Sequence, residues 1–275
     1  MTDDTERANR LGHPRGQDRR RRDAVHGALR RVPPEDSGWD APMSRVPQPI
    51  VPLLPTQIDA ANAIHDRHMP GWAGTDRALT LLAESVPGLE TEAVTLKAAA
   101  VDRLYYTRHY RLGDAIGRII EVLGPEPARP STAEEGVTLV ERIAPIEVGN
   151  KVRWHWSFAS KFGHWFLHDS LPIYDAWAIR AVRFHFGRIR WRTTAYRDIA
   201  EHVDALRAAS GLSCTTREMD RFLWLSGMYR AWGGASDRSK LGLSGEVVGL
   251  FESDDPAVVG ALGVLAGDAP GGTGT

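Results

Sequence analysis

Residues 150–186 read NKVRWHWSFASKFGHWFLHDSLPIYDAWAIRAVRFHF, and this stretch decides the fold. Aromatic side chains recur in it at helical spacing, at Phe158, Phe162, Trp165 and Phe166. The spacing predicts a helix over Asn150–His168 with one apolar face, and Pro172 prevents its continuation. Asp175 then occupies an N-cap position, ahead of a second helix whose buried side carries Ile179, Val182 and Phe186.

Helical patterns also dominate the rest of the folded part. They cover Thr56–His68, Thr75–Ser85, a segment with Val94, Ala98, Val101 and Tyr105 at helical spacing, and Leu112–Leu123. Capping-box spacing of Ser131 with Glu134, and of Thr215 with Glu218, predicts helices that begin near Thr132 and Thr216. Strand signals are scarce. The sequence therefore predicts an all-α protein, and its length allows either one core or a core built from two lobes.

The two ends differ in composition from this helical part. Residues 1–50 are rich in Arg and Pro with almost no apolar periodicity, so we expect a flexible Arg-rich arm. Residues 265–275 are rich in Gly and Thr, and we expect a disordered tail. The predicted domain is residues 51–264.

Several classes of protein are disfavoured by composition. Cys214 is the only cysteine, which excludes an intrachain disulfide and a cysteine-based zinc site. No run approaches the roughly 18 apolar residues of a membrane span. We therefore expect a cytoplasmic protein with no membrane partner and no cofactor.

Charge is distributed unevenly along the chain. The net charge is -1, yet residues 151–197 carry nine Lys or Arg against two Asp, a net of +7. Segregation of this kind suits a surface that binds a polyanion such as DNA, with RNA or a nucleotide as alternatives. The same stretch holds five of the nine tryptophans.

Polar residues flank the apolar face of the first predicted helix. Ser157, Lys161, His164 and His168 follow one another at helical intervals, which places them at the edge of a cleft. The i, i+4 pair of histidines could hold a metal, but no Glu or Asp pattern completes such a site, and we expect none. His164, one turn after Lys161, is the better candidate for contact with a base or a phosphate.

Candidate nucleic-acid contacts fall into two chemical groups. Aromatic surfaces on which a base could stack are Trp154, Trp156 and Trp177, whereas Trp165 is expected in the core. Cations that could meet phosphates are Arg180, Arg183, Arg188, Arg190 and Arg192. The segment Arg188–Arg192 alternates as an extended strand does, with Trp191 between its arginines.

Two motifs carry a resemblance to a known family. The run Ser157-Phe-Ala-Ser-Lys161, then Leu171-Pro-Ile-Tyr-Asp175, with Leu104-Tyr-Tyr-Thr107 upstream, resembles a bacterial group with an 8-oxoguanine DNA glycosylase-like fold. That group is similar to the helix-hairpin-helix glycosylases, and some members resemble genes found beside anti-phage signalling systems. The resemblance spans roughly residues 97–182. It implies an all-α, two-lobed fold with a cleft between the lobes, lined by the region of Lys161 and Asp175.

The resemblance implies a catalytic pair. In that superfamily a lysine attacks the sugar and an aspartate before the next helix assists, and the matching positions are Lys161 and Asp175. A carboxylate suits this role because cleavage of an N-glycosidic bond builds positive charge on the sugar. The lysine amine can attack the sugar in its uncharged form, which requires that burial, or cations such as Lys151 and Arg153, lower the pKa of the amine.

Two departures keep other functions open. The run Ser157–Ser160 lacks the Gly-x-Gly turn usual before the lysine, and the 14-residue interval to Asp175 is shorter than in typical active members. The alternative is a catalytically inactive module that binds nucleic acid or a nucleotide within a defence assembly, alongside defence-system protein partners. A scaffold that contacts no nucleic acid is the third hypothesis.

Overall fold

The computed structural model describes residues 48–105, 107, 111–148, 151–187 and 196–267. Within these residues the chain forms eleven α-helices and one small two-stranded sheet, which confirms the all-α prediction. The predicted arm up to residue 47, the arginines at 188, 190 and 192, and residues 268–275 lie outside the described part.

The helices and strands follow one another with short links. In chain order they are α1 (Pro55–His68), α2 (Pro70–Ser85), α3 (Thr91–Leu104), α4 (Leu112–Leu123), α5 (Ala133–Ile143), β1 (Pro145–Val148), β2 (Lys151–Trp154), α6 (Trp156–Phe166), α7 (Ala176–Phe186), α8 (Tyr196–Ala209), α9 (Thr216–Gly234), α10 (Gly245–Phe251) and α11 (Pro256–Ala266). A 3-10 turn, Arg238–Leu241, precedes α10. None of the described helices combines the length and the apolarity that crossing a bilayer requires.

The predicted helix over Asn150–His168 is wrong at its N-terminal end. Lys151–Trp154 instead forms β2, which pairs antiparallel with β1 so that Trp154 lies opposite Pro145. The reason is visible in the sequence, because Val152 and Trp154 alternate with Lys151 and Arg153 in the period of two that strands prefer. The aromatic periodicity of a helix begins only later, and α6 runs from Trp156 to Phe166.

Helix caps confirm the starts that the sequence predicted. The Asp175 carboxylate accepts hydrogen bonds from the backbone N–H groups of Trp177 (2.9 Å) and Ala178 (2.7 Å) at the start of α7. Thr215 and Glu218 form the capping box of α9. Before α5 the cap is Thr132, one residue later than the spacing implied. The last helix, α11, extends to Ala266, two residues beyond the predicted domain boundary at residue 264, and it buries Leu265.

Two groups of packed helices build the core. One consists of α1, α7, α9 and α11, and the other of α3, α4, α5 and α6 with the hairpin against α4 and α5; α2 contacts both. The helices α7 and α9 approach each other closely where Gly227 faces the backbone of Trp177. These contacts bring the start of α7 and the middle of α9 to one side of α6, where the candidate site lies.

Candidate functional site

A cavity opens where α2, α6 and α9 meet the link before α7. Its empty volume is about 420 Å³, counting the part that is open to solvent, while its interior has room for only a few water molecules. The lining residues are His65, Trp72, Asp76, Tyr105, His164, Trp165, Ile173, Asp175, Arg217, Asp220, Arg221 and Trp224. Of the candidates that the sequence supplied, Asp175 and His164 line it.

Asp175 is held in place by the helix that it caps. Both backbone hydrogen bonds go to Oδ1, and none of the described residues donates to the second carboxylate oxygen. Burial raises the pKa of this carboxyl, and the Lys161 charge and the two N–H groups act in the opposite direction. The two hydrogen bonds of the cap therefore orient the Asp175 carboxylate, and burial keeps most solvent away from it.

Lys161 lies beside the cavity and does not line it. The side chain is only 7% exposed, its amine donates to Ser157 Oγ at 3.0 Å, and Nζ lies 5.1 Å from the centre of the Tyr105 ring. Burial lowers the pKa of the amine, while the charges of Asp175 and Asp220 act to raise it. Burial, rather than the neighbouring Lys151 and Arg153 suggested by the sequence, is therefore the main cause.

Lys161 and Asp175 interact electrostatically without touching. Each shifts the pKa of the other, yet the amine is bonded to Ser157 and the carboxylate to the start of α7, with no direct ion pair between the two described side chains. The 14-residue interval therefore brings the two groups to neighbouring positions around Tyr105. A reaction at the cavity requires the amine to leave Ser157.

Asp220, on α9, is a site residue that the sequence reading missed. Its Oδ1 accepts a hydrogen bond from Ile173 N at 3.2 Å, which ties α9 to the link that carries Asp175. Burial raises the pKa of this carboxyl well above its ordinary value, and the Asp175 charge adds to the effect. The only sequence signal was an acid placed between Met219 and Phe222, on the apolar face of the helix.

Asp76 and Arg221 form a paired wall of the cavity, which the sequence did not indicate. The Arg221 guanidinium donates to Asp76 Oδ2 from two nitrogens, at 2.9 and 3.1 Å, and also to Asn62 Oδ1 at 3.1 Å. His65 Nε2 lies 3.5 Å from the same Asp76 oxygen. This network links α1, α2 and α9, so its first role is to hold the site together.

His164 lines the cavity as a neutral ring. Its Nδ1 lies 2.7 Å from the Leu171 carbonyl oxygen, which can only accept, so Nδ1 carries the proton. Burial lowers the pKa of the ring to about 4, which keeps it neutral near pH 7. Nε2 is thus an acceptor, to which none of the residues that the structure describes donates a hydrogen bond, and the residue is only 4% exposed.

Aromatic rings form the remaining walls. Trp72 contacts Trp224 with ring centres 4.6 Å apart, and Trp165 donates its indole N–H to Tyr105 Oη at 3.0 Å. The Arg217 guanidinium lies over the Trp165 ring at 4.1 Å. Trp165 is in the core, as predicted, and it also lines the cavity.

The tryptophans that were predicted to stack on a base lie outside the cavity lining. Trp154, Trp156 and Trp177 are not among the lining residues, and neither is Ser157. Trp154 is 40% exposed and stacks on Trp156 with centres 5.0 Å apart and planes at 16°. Trp156 in turn lies 6.2 Å from Tyr174, the residue before Asp175. A row of three rings therefore leads from the hairpin to the edge of the site.

Exposed cations accompany this aromatic row. Lys151 and Arg153 are exposed on β2, and Arg180 and Arg183 are exposed on α7. Arg183 is close enough for its charge to lower the pKa of Tyr174, although burial has the larger effect and raises it. The hairpin and one face of α7 thus retain part of the basic surface that the charge count predicted.

Lys97 is a second buried lysine, remote from the cavity lining. It is fully buried, and its amine donates to the Gly88 carbonyl at 2.5 Å. Burial, with a contribution from Arg129, lowers the pKa to about 8. A lowered lysine pKa is therefore not unique to Lys161 in the described part of the chain.

Part of the chain matches a known protein family. The family model HI_0787_N, described as an N-terminal domain, matches residues 58–170, from α1 to the link after α6. Neither the search of curated proteins nor that of solved structures found a match. The matched region includes Lys161 and His164 and ends before Asp175 and Asp220. Residues 58–170 are thus similar to that N-terminal domain, a similarity that covers about two fifths of the chain.

Proposed function

We propose that this protein recognises a modified or extruded base in DNA and cleaves its N-glycosidic bond with Lys161 and Asp175. The observation that carries the proposal is the buried Lys161 amine, electrostatically coupled to a carboxylate that lines an aromatic-walled cavity. Base flipping suits such a cavity because a planar ring can exchange stacking in the duplex for stacking on indoles. Trp72 and Trp224 must first rotate apart, because the interior holds only a few waters.

The proposed reaction uses the two groups in different roles. As the bond between C1′ and the base nitrogen breaks, the base leaves with the electron pair and takes up a proton. The Asp175 carboxylate stabilises the positive charge that develops on the sugar. The neutral Lys161 amine then forms a bond to C1′ and loses a proton. The C1′–O4′ bond breaks, O4′ gains a proton, and C1′ and the lysine nitrogen form a protonated imine.

Borohydride trapping tests this proposal. Oligonucleotide duplexes that each contain one of a broad panel of modified bases are incubated with protein and sodium borohydride, which reduces an imine to a stable secondary amine. We expect a covalent complex with at least one duplex and none with Lys161→Gln. Lys240→Gln, which removes an exposed lysine from the 3-10 turn, is the matched control and should still be trapped. Absence of both trapping and base release across the panel would overturn the proposal.

A specific observation favours a second candidate, a binding module without catalysis. The Lys161 amine is engaged by Ser157 and is absent from the cavity lining. In this hypothesis the protein binds nucleic acid or a nucleotide as part of a cytoplasmic anti-phage assembly. Intact DNA binding with no base release, and binding that is indifferent to Lys161→Gln, would distinguish this candidate from the enzyme.

Both candidates place a nucleic-acid strand on the row of rings that begins at Trp154. Stacking of one base on an aromatic side chain contributes about 1–3 kcal/mol. We therefore expect Trp154→Ala to weaken binding of a labelled single-stranded oligonucleotide by about 5- to 150-fold in fluorescence anisotropy at fixed salt. Leu96→Ala, which removes another exposed apolar side chain, serves as the control. Equal affinities of both variants and the parent would exclude this surface.

A further inference from the structure

Three carboxyl groups and two guanidinium groups line the cavity, at Asp76, Asp175, Asp220, Arg217 and Arg221. Arg221 is paired with two acids, because it donates to Asp76 from two nitrogens and also lies 3.4 Å from Asp66. Arg217 lies over an indole ring at 4.1 Å and donates to Thr80 Oγ1 at 3.1 Å. Among the residues that the structure describes, neither arginine forms an ion pair with the remaining two carboxyl groups.

Those two carboxyl groups, Asp175 and Asp220, differ in what stabilises their charged forms. Asp175 Oδ1 accepts hydrogen bonds from two backbone N–H groups, at 2.9 and 2.7 Å, and the Lys161 charge also favours its ionisation. Asp220 Oδ1 accepts one hydrogen bond from the described residues, that of Ile173 N at 3.2 Å. The charges of Asp175 and Asp76 oppose the ionisation of Asp220, and the favourable effect of Lys161 is smaller than either. The negative charge is therefore more stable on Asp175.

The two carboxyl groups also differ in how tightly they bind a proton. Two acids in one buried site do not both ionise readily, because little solvent screens their repulsion. Burial, and after it the Asp175 charge, raises the pKa of Asp220 well above its ordinary value. Burial also raises the pKa of Asp175, but the Lys161 charge and the helix cap act in the opposite direction. Environments that separate two carboxyl groups in this way are typical of an acid and a base that act together.

The other titratable side chains of the cavity are poorer proton donors. His164 directs its ring proton to the Leu171 carbonyl oxygen at 2.7 Å, and burial lowers the pKa of the ring to about 4. Burial raises the pKa of Tyr105 well above its ordinary value, so this hydroxyl is a weak acid. Both ring nitrogens of His65 lie near aspartate oxygens, at 3.0 and 3.5 Å. Asp220 differs from these groups, because no described residue forms a hydrogen bond with its second carboxyl oxygen, Oδ2.

From this geometry we infer that Asp220 retains a proton at neutral pH and delivers it to the base that leaves the sugar. Oδ1 accepts the hydrogen bond of Ile173 N, so the proton is on Oδ2. As the bond between C1′ and the base nitrogen breaks, the O–H bond of Asp220 breaks and an N–H bond forms on the base, directly or through one water molecule. The Asp220 carboxylate then regains a proton from solvent. The transfer rests on the proposed function, in which the leaving base takes up a proton, whereas the retained proton does not.

Infrared spectroscopy of the full chain tests the retained proton without any substrate. The C=O stretch of a protonated carboxyl is separate from the bands of ionised carboxylates, so this band should be present at neutral pH and absent from Asp220→Asn. In Asp175→Asn the band should disappear at a lower pH than in the parent, because the Asp175 charge raises the pKa of Asp220. Asp254→Asn changes an exposed acid and should leave the band intact. Absence of the band from the parent, or its persistence in Asp220→Asn, would overturn the inference.

The pH dependence of base release tests the transfer, on the duplex that is trapped. A positioned acid contributes about 10²–10⁴-fold, so Asp220→Asn should slow single-turnover release by about that factor. Because Asp220 acts in its protonated form, release by the parent should slow as the pH rises through the pKa of Asp220, and the variant should lack this decline. Asn retains an oxygen for Ile173 N and is uncharged like the protonated acid, so the melting temperature should stay close to that of the parent. A merely structural role would slow release and leave the shape of the pH profile unchanged, which would refute the transfer.

The two measurements separate this inference from the proposed function. A protonated Asp220 in a protein that releases no base from any duplex would contradict the proposed function, and the transfer with it. Base release that is trapped on Lys161 but is unaffected by Asp220→Asn would contradict this inference alone.

Discussion

Replacing Asp175 with Asn is expected to slow base release by at least about 100-fold while the melting temperature stays nearly constant. Asn retains an Oδ1 that can accept the hydrogen bonds from Trp177 N and Ala178 N, so the start of α7 is preserved. The charge that stabilises the developing cation on the sugar is lost. For comparison, removal of one preorganised donor from an oxyanion hole costs about 2.7–4 kcal/mol. Single-turnover rates on the duplex that is trapped, with melting curves for both proteins, measure the two effects.

Asp175→Ala is the informative companion, because it removes the cap as well as the charge. We expect a stability loss of about 0.5–2 kcal/mol in addition to the loss of rate. If Asp175→Asn retains full activity, the carboxylate is only a cap and the catalytic role is excluded.

Gly227→Ala is expected to destabilise the fold by about 3 kcal/mol and to lower the melting temperature by about 6–12 °C. A Cβ atom at this position would lie 2.0 Å from the Trp177 carbonyl oxygen and 2.7 Å from its carbon. Both atoms belong to the backbone of α7, so no side-chain rotation relieves the clash. The two helices would have to separate, and the start of α7, with Asp175, would move.

Gly233→Ala on the same helix provides the control. Nothing lies within 4 Å of a Cβ atom there, and Ala is favoured over Gly in a helix by about 0.5–1 kcal/mol. Its melting temperature should be unchanged or slightly higher. Equal stability of Gly227→Ala and the parent protein would contradict the close approach of α7 and α9.

Much of the fold could be predicted from local sequence because helix ends are coded locally. The Asp175 cap, the Thr215 capping box and the Pro and Gly breaks fixed helix starts and stops without reference to distant residues. Strand β2, Lys151–Trp154, lies within the predicted helix. Its alternating pattern covers only four residues, which is a weaker signal than the helical spacing of the aromatic residues that follow. Its pairing with β1 depends on a partner strand that the sequence signals only weakly.

The candidate site was predicted only for the residues that lie close together along the chain. Lys161 and His164 lie in α6, Asp175 caps the helix that follows it, and the structure brings them to the same region. Asp76, Asp220, Arg221 and the rings of Trp72 and Trp224 come from α2 and α9, far away in sequence. Their convergence depends on how α2 and α9 pack around α6, which local patterns do not contain. Composition also indicated the exposed cations and the row of rings that begins at Trp154, although Trp154 does not line the cavity.

Identification of the trapped lysine is the most direct test of the central claim that the Lys161 amine acts on a base in the Asp175 cavity. The chain has only four lysines, at 97, 151, 161 and 240, so proteolysis and mass spectrometry of the borohydride-reduced complex can assign the adduct unambiguously. Lys97 is a stringent internal comparison because burial also lowers its pKa. We expect the adduct on Lys161. An adduct on Lys97, Lys151, Lys240 or the terminal amine would contradict it.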